Sequence, residues 1–137
     1  MSDTGSPLPV FDRDSRPWWE AVARRELTVQ ACERCGQRRW PPRALCARCG
    51  SLSWRWDAAS GRGVVASWIV NRHPFFAGME VPSVVVMVRL EEAEDVLIPG
   101  GWSGPPDGSG LRVGLPVQVG FRENSEGVTL LAWRAAD

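Results

Sequence analysis

The four cysteines of the chain fall into two C-x-x-C-G repeats, and they are the side chains best suited to binding a metal. Cys32 and Cys35 form the first repeat, Cys46 and Cys49 form the second, and each repeat ends in a glycine. Two such repeats supply four thiolates at a spacing that suits tetrahedral zinc. The glycines permit the positive φ needed where each loop turns over its own sulfurs. The sequence therefore predicts one structural zinc ion, in a closed site with no coordination position left for catalysis.

Two disulfides in an exported protein are the alternative for the same four thiols. Closely spaced C-x-x-C pairs bridge poorly, and residues 1–10 lack the basic and apolar pattern of an export signal. The longest aliphatic run, 84–88, is too short to span a bilayer. We therefore expect reduced thiols, a cytoplasmic protein and no association with a membrane.

Few other residues are suited to catalysis. The chain contains neither lysine nor tyrosine, and His73 is its one histidine. Acyl-transfer chemistry needs a nucleophile beside an oriented base, and the sequence offers no such pair once the thiols bind zinc. We therefore predict no catalytic residue and no activity for the chain alone. His73 acting as a single general acid is the alternative, although a histidine beside Pro74 and two phenylalanines more often lines an interface.

A basic patch accompanies the cysteines. Residues 32–50 contain five arginines and a single acidic residue, Glu33, whereas the whole chain balances 16 basic against 16 acidic residues. Arginine forks bind phosphates or acidic groups of a partner, and a solvated surface is the alternative. Neutral overall charge disfavours a general nucleic-acid binder. Arg38, Arg39 and Arg43 are the best candidates for a contact with phosphate.

The elements that position these residues begin with a short helix. Residues 1–15 are predicted to be a flexible tail. A short helix is expected to follow, capped by Asp14 or Ser15, with Pro17 in its first turn and no helix-breaking residue in 18–26. It carries Trp18 and Trp19, which either pack on the chain or anchor a partner. Eight tryptophans are more than a small barrel is expected to hide, so some should lie at an interface.

Beyond residue 57 the apolar pattern changes to period two, which is typical of β-strands. The strand at 81–90 is expected to be buried on both faces, the acidic turn at 91–95 to be solvated, and the glycine-rich stretch at 100–110 to be a loop. Five short strands suit a small closed barrel such as the oligonucleotide/oligosaccharide-binding (OB) fold. The five predicted runs are 64–72, 81–90, 96–99, 117–122 and 128–134.

The order of these motifs resembles the acyl-CoA-associated family of OB-fold proteins with a rubredoxin-like zinc ribbon. The resemblance covers about residues 16–133 and is carried by the two cysteine repeats with WPPR at 40–43, SGRG at 60–63 and GLPV at 114–117. It implies a mostly β chain, with a short N-terminal helix and zinc ribbon in 16–57 and a five-stranded OB barrel in 58–137. The family usually has an acidic, proline-containing stretch where this chain has glycine-rich 100–110.

The resemblance also implies a function and a partner. It suggests a non-catalytic accessory subunit of a thiolase-superfamily acyl-CoA enzyme (an aldolase, thiolase or acyltransferase of steroid side-chain, lipid or polyketide metabolism), with two copies of each chain. The acyl-CoA would lie at or near the shared interface. Alternatives are a subunit of a hotdog-fold acyl-CoA hydratase, a nucleic-acid module, and an adaptor that contacts no ligand. Candidate CoA or partner contacts are Arg38, Arg39, Arg43 and His73, and candidate interface anchors are Trp18, Trp19, Phe75 and Phe76.

Overall fold

The computed structural model describes residues 8–137, which form one short helix and nine strands. None of the helical structure in this part of the chain is long and apolar enough to cross a membrane. One short helix and nine strands confirm the mostly β class that the sequence predicted. The elements are α1 (Arg16–Ala23), β1 (Thr28–Cys32), β2 (Arg38–Arg39), β3 (Trp54–Ala58), β4 (Arg62–Asn71), β5 (Ser83–Leu90), β6 (Ala93–Trp102), β7 (Pro116–Gln118), β8 (Phe121–Glu123) and β9 (Thr129–Ala135).

Helix α1 begins after Ser15, as predicted, but ends earlier than expected, and one of its faces packs inward. Ser15 occupies the N-cap position without a side-chain cap bond to the helix. Its hydroxyl instead accepts a hydrogen bond from the Asp12 N–H at 3.2 Å, and the Asp12 carboxylate accepts one from the Ser15 N–H at 2.7 Å. The helix buries Trp18, Ala21 and Val22.

The predicted tail lies only partly within the described residues, because 1–7 fall outside them. Phe11 stacks on Trp19 with ring centroids 5.1 Å apart, and the Arg16 guanidinium donates to the Phe11 carbonyl at 3.1 Å. The segment just before the helix is therefore tied to it.

The ribbon is a three-stranded antiparallel sheet in the order β2-β1-β3, and it packs against the barrel. The Arg38 guanidinium donates to the Glu92 carbonyl at 2.9 Å, and the Gln37 amide donates to Asp95 at 3.4 Å. The Glu92 carboxylate in turn accepts from the Ser60 N–H at 2.9 Å. The turn at 91–95 is the predicted hairpin between β5 and β6, and three of its four acidic residues are exposed. It is also a contact between the two parts of the chain, which the sequence did not predict.

The second sheet closes into the predicted five-stranded barrel. Its strands run in the order β6-β5-β4-β7-β9, and the parallel pairing of β6 with β9 closes the ring. The predicted fourth strand is split at Val119 and Gly120 into β7 and β8, and β8 pairs separately with β9. One apolar core joins α1 and β1 to the barrel interior, so the ribbon and barrel pack as neighbours.

Strand β6 continues into the first three residues of the stretch 100–110, which was predicted to be a loop, and only 103–110 lie outside the strands. A Cβ atom added to Gly100 would lie 2.7 Å from Cδ1 of Trp133, which is fully buried. Glycine at this position therefore makes room for the indole. The continued strand also supplies Gly101 and Trp102 to the closing pairs with β9.

Strand β5 is buried on one face only. Val84, Val86, Val88 and Leu90 point inward and are buried as predicted. Val85 on the other face is 42% exposed, so the expectation of burial on both faces was wrong.

Candidate metal centre and interaction surfaces

The four cysteine sulfurs converge at one end of the ribbon. Cys32 ends β1, and the remaining three lie in the two loops. The Sγ atoms of Cys32 and Cys49 are 3.6 Å apart, those of Cys35 and Cys46 are 3.7 Å apart, and all four lie within 4.8 Å of one another. A tetrahedron with zinc–sulfur bonds of about 2.3 Å has edges of about 3.8 Å. The sulfur positions therefore fit a four-thiolate zinc site.

The loop backbone prepares these sulfurs for a cation. Gly36 and Gly50 both adopt a φ of 78°, as the repeats predicted, and their N–H groups bond the carbonyls of Cys32 and Cys46 at 2.9 Å. The Cys35 and Arg34 N–H groups point at the Cys32 sulfur from 3.5 and 3.4 Å. Donation by the Cys35 N–H is the main cause that lowers the pKa of Cys32 to about 6, which favours its thiolate.

The second loop acts on its thiols in the same way, with one difference. The Cys49 N–H is the main cause that lowers the pKa of Cys46. For Cys49 the Ser51 N–H acts to lower the pKa, but burial and the three neighbouring sulfurs outweigh it and raise the pKa to about 11. A further thiolate packed beside the others is unfavourable until a cation balances the charge, as zinc would.

The disulfide alternative does not fit this geometry. All four cysteines are free, and the shortest sulfur–sulfur distance of 3.6 Å is well beyond a bond of about 2.05 Å. A fully sulfur-ligated centre also leaves no open position for a substrate. The centre is built to stabilise the ribbon.

Two of the three candidate arginines are engaged inside the protein. Arg39 is only 4% exposed, and its guanidinium donates to the Gln30 amide oxygen at 2.8 Å and to the Arg43 carbonyl at 2.7 Å. Its prediction as a ligand-binding residue is corrected, because it lies beneath the surface as a brace between β1 and the following loop. Arg38 is half-buried and reaches Asp57 at 3.6 Å in addition to the Glu92 carbonyl.

Arg43 is the one of the three candidate arginines that is exposed. It borders a cavity of about 310 Å³ on the ribbon, together with Arg48, which the sequence analysis did not single out. Asp95 is the acidic residue that lines the same cavity and offsets part of its charge. Arg43 therefore stays a candidate contact for a phosphate or an acidic partner.

The tryptophans pack more completely than their number suggested. Trp18 is 2% exposed and its indole N–H donates to the Thr28 carbonyl at 3.0 Å. Trp19 is half-buried, with its ring 4.8 Å from that of Trp18. Trp18 is thus removed from the candidate interface. All eight tryptophans lie within the described residues: Trp18 and Trp133 are buried, and the other six are half-buried. The expectation that some of them lie at an interface stays a prediction.

The predicted histidine and phenylalanines lie on the exposed loop between β4 and β5. His73 and Phe75 are exposed, with ring centroids 4.9 Å apart, whereas Phe76 is half-buried. Phe75 is 74% exposed, more than any other phenylalanine or tryptophan among residues 8–137. The Asn71 amide donates to the His73 carbonyl at 3.0 Å and helps to shape the loop.

An apolar surface that the sequence analysis missed continues from this loop, and we call it the apolar outer face. Ile69 is 62% exposed and pairs directly with Val85 across β4 and β5. Leu97, 37% exposed, extends the face onto β6. The available signal was the second apolar set of the alternating strands, which has no partner in a barrel with one core. The face comprises Ile69, Val85, Met87, Leu97 and Pro99.

Comparisons with known proteins agree with this architecture. Residues 19–55 match the family model described as the ChsH2 rubredoxin-like zinc ribbon domain, and residues 56–122 match that of the ChsH2 C-terminal OB-fold domain. The predicted resemblance, fold and structural zinc are thereby confirmed. The four cysteines are the ligands of that zinc site.

Two curated proteins are similar over most of this chain. A probable enoyl-CoA hydratase alpha subunit of Thermomonospora curvata is 36% identical over 132 residues, covering 95% of this chain and 40% of that protein. The 3-oxo-4,17-pregnadiene-20-carboxyl-CoA hydratase alpha subunit of Mycobacterium tuberculosis is 30% identical over 125 residues, covering 91% and 39%. The chain therefore spans about two fifths of the length of these relatives.

Solved structures give a match over the full length. A chain of the Ltp2-ChsH2(DUF35) aldolase superposes with a TM-score of 0.85 at 35% identity, covering 95% of this chain and 100% of that chain. A DUF35 protein of unknown function from Sulfolobus solfataricus superposes with a TM-score of 0.61 at 13% identity, covering 88% and 84%. The second likeness supports the fold alone.

Proposed function

The chain belongs to the ChsH2 (DUF35) family of zinc-ribbon and OB-fold proteins, and we propose that it is a non-catalytic accessory subunit of an acyl-CoA enzyme. The observation that carries the proposal is the full-length similarity to a chain of the Ltp2-ChsH2(DUF35) aldolase. On this proposal the partner subunit is a thiolase-superfamily protein that supplies the catalytic residues. The pair acts in the cytoplasm as two copies of each chain.

The inventory of reactive groups supports an accessory role. The four thiols are ligands of the closed zinc site. The ring of His73 packs against Phe75, and no thiol or hydroxyl among residues 8–137 hydrogen-bonds to its imidazole. A nucleophile paired with a histidine base, the arrangement common in acyl transfer, is therefore lacking in the described part of the chain.

The apolar outer face and the adjoining loop supply the proposed docking surface. Ile69, Val85 and Phe75 are 62%, 42% and 74% exposed. Contiguous apolar surface of this kind marks interaction sites, and a central apolar cluster with a polar rim is typical of a specific interface. Because Trp18 is buried, exposed aliphatic side chains and Phe75 are proposed to anchor the partner, and half-buried Trp19 and Phe76 stay further candidates. On the same proposal His73 and Arg43 lie near the CoA or the partner.

A hydratase subunit is the second candidate function. The observation that favours it is that both curated relatives are hydratase alpha subunits. The partner would then be a hotdog-fold hydratase, and the same docking surface would serve it.

Coexpression with candidate partners tests the proposal and separates the two functions. We expect a stable complex with the thiolase-like protein. Ile69→Asp should weaken that complex on the order of a hundredfold, because a buried unpaired carboxylate costs several kcal/mol. Val113→Asp is the matched control, since Val113 is 68% exposed outside the proposed surface.

The result that decides the partner is which protein copurifies. Capture of the hydratase but not the thiolase-like protein would favour the second function. Equal loss of assembly in Ile69→Asp and Val113→Asp, or no loss in either variant, would exclude the apolar outer face as the docking surface.

A further inference from the structure

A groove lined by arginines lies on the outside of the barrel, at the opposite end of β4 from the proposed docking loop. It encloses about 610 Å³, larger than the ribbon cavity of about 310 Å³. A volume of this size is typical of a site for a small organic ligand. Four strands contribute to the arginine groove, through Arg62 and Val64 of β4, Arg89 of β5, Pro116 and Gln118 of β7, and Arg134 of β9.

The strand register places its three arginines on one surface. Arg62 is paired with Gln118, and Gln118 is paired with Arg134. The side chains of Arg62, Gln118 and Arg134 therefore form a row across β4, β7 and β9. Two strand spacings separate the Cα atoms of Arg62 and Arg134 by about 10 Å. Arg89 is paired with Val64, two residues along β4, which places its Cα about 8 Å from that of Arg62.

The charges in the groove lack internal partners. The three arginines are exposed, and none of them lies within 4.0 Å of a carboxylate among the described residues, unlike Arg38 and Arg55 of the ribbon. Glu91 and Asp137 border the groove, and the Glu91 carboxylate lies 3.5 Å from the Ser60 hydroxyl. The groove therefore retains an excess of positive charge.

The floor between the arginines is partly apolar and carries an amide. Val64, Pro116 and Ala136 line it. The Gln118 amide nitrogen donates to the Ser60 carbonyl at 3.4 Å, which leaves the amide oxygen to accept a hydrogen bond from a ligand. Apolar side chains between the arginines suit packing against a ring, and the amide suits the polar edge of that ring.

We propose that the arginine groove binds a purine nucleotide with two separated phosphate groups, the chemistry of the nucleotide half of an acyl-CoA. The Cα atoms of these arginines lie about 8–10 Å apart, and their long side chains allow each guanidinium to meet a different phosphate of such a ligand. The inference rests on the proposed function only in naming CoA as the source of the nucleotide. The groove is a better phosphate site than the ribbon patch, where Arg38 and Arg39 already serve internal contacts.

Direct binding to the full chain tests the groove without any partner. Isothermal titration with adenosine 3′,5′-bisphosphate, ADP, acetyl-CoA and inorganic phosphate compares the possible ligands. We expect adenosine 3′,5′-bisphosphate and acetyl-CoA to bind more tightly than ADP and inorganic phosphate. Arg62→Gln and Arg134→Gln should each weaken this binding about tenfold, the loss of one charge-assisted contact. Arg112→Gln is the matched control, because Arg112 is exposed outside the groove and should leave binding unchanged.

The outcomes separate this inference from the proposed function. Equal or tighter binding of ADP would identify free nucleotides, and not CoA, as the source. Loss of binding in Arg43→Gln but not in Arg62→Gln would place the phosphates at the ribbon and overturn the groove. No measurable binding at millimolar nucleotide, or preference for an RNA oligomer, would also overturn it. Failure to assemble with a thiolase-like partner would sink the proposed function and leave these titrations unaffected.

Discussion

Substitution of Gly100 by alanine should destabilise the barrel, since β6 passes directly over a buried indole. The added Cβ would lie 2.7 Å from Cδ1 and 2.8 Å from Nε1 of Trp133, and 3.2 Å from Cβ of Leu131. Trp133 is fully buried and cannot swing into solvent. Overpacking of this kind costs about 1–3 kcal/mol in free energy of unfolding.

Gly101→Ala is the matched control on the adjacent residue. Its added Cβ would have its nearest neighbours at 3.5 and 3.8 Å, which are ordinary contacts, so we expect little change or a small gain in stability. Urea unfolding of both variants, followed by tryptophan fluorescence, measures the difference. For a protein of this size, 1 kcal/mol corresponds to a shift in melting temperature of about 3–5 °C.

A neutral or stabilising Gly100→Ala would refute the reasoning. That is the outcome expected of a flexible glycine-rich loop, where alanine restricts the unfolded chain and stabilises by about 0.4–1 kcal/mol. The sign of the effect therefore distinguishes the strand from the loop that the sequence suggested.

Three further predictions concern the ribbon. Metal analysis should find one zinc per chain, and a zinc content well below one per chain would contradict the site. Cys46→Ser should unfold the ribbon more readily than the barrel, because binding of structural zinc contributes about 10–16 kcal/mol to folding. Zinc affinity, measured against a colorimetric chelator, should fall as the pH is lowered from neutral, because Cys49 must lose a proton to bind zinc, and should fall more steeply below about 6, where Cys32 also gains a proton. The stabilisation from the lowered pKa of Cys32 should be present above its unfolded value near 9 and lost as the pH falls through about 6. A zinc affinity that does not change between pH 7 and pH 5 would oppose this. Arg39→Met should lower the free energy of unfolding by about 1–3 kcal/mol, because it removes the buried hydrogen bonds of the guanidinium. Arg43→Met keeps the contacts made by the Arg43 backbone and should have little effect on the same free energy. Equal effects of the two substitutions would argue against Arg39 as a buried brace.

The sequence was sufficient where a property depends on short spacing. The two C-x-x-C-G repeats predicted the metal and the positive φ of Gly36 and Gly50, because both follow from local geometry. The alternation of β5 likewise predicted the inward set from Val84 to Leu90. These signals need no knowledge of the distant chain.

Properties that depend on distant partners were missed. Arg38 and Arg39 are adjacent and equally basic, but only Arg39 meets Gln30 from a neighbouring strand and becomes buried. Glycine at position 100 signals a loop until Trp133, 33 residues later, is known to need the space. The apolar outer face was overlooked because both apolar sets of β5 were assigned to the interior.

Acyl-CoA turnover, measured side by side for this chain, the proposed thiolase-like partner and their mixture, tests the central claim most directly. We expect the complex to cleave or form a carbon–carbon bond and this chain alone to do neither. His73→Ala should leave the isolated chain equally inactive. Turnover by the purified chain on its own, or full activity of the partner without it, would contradict the account.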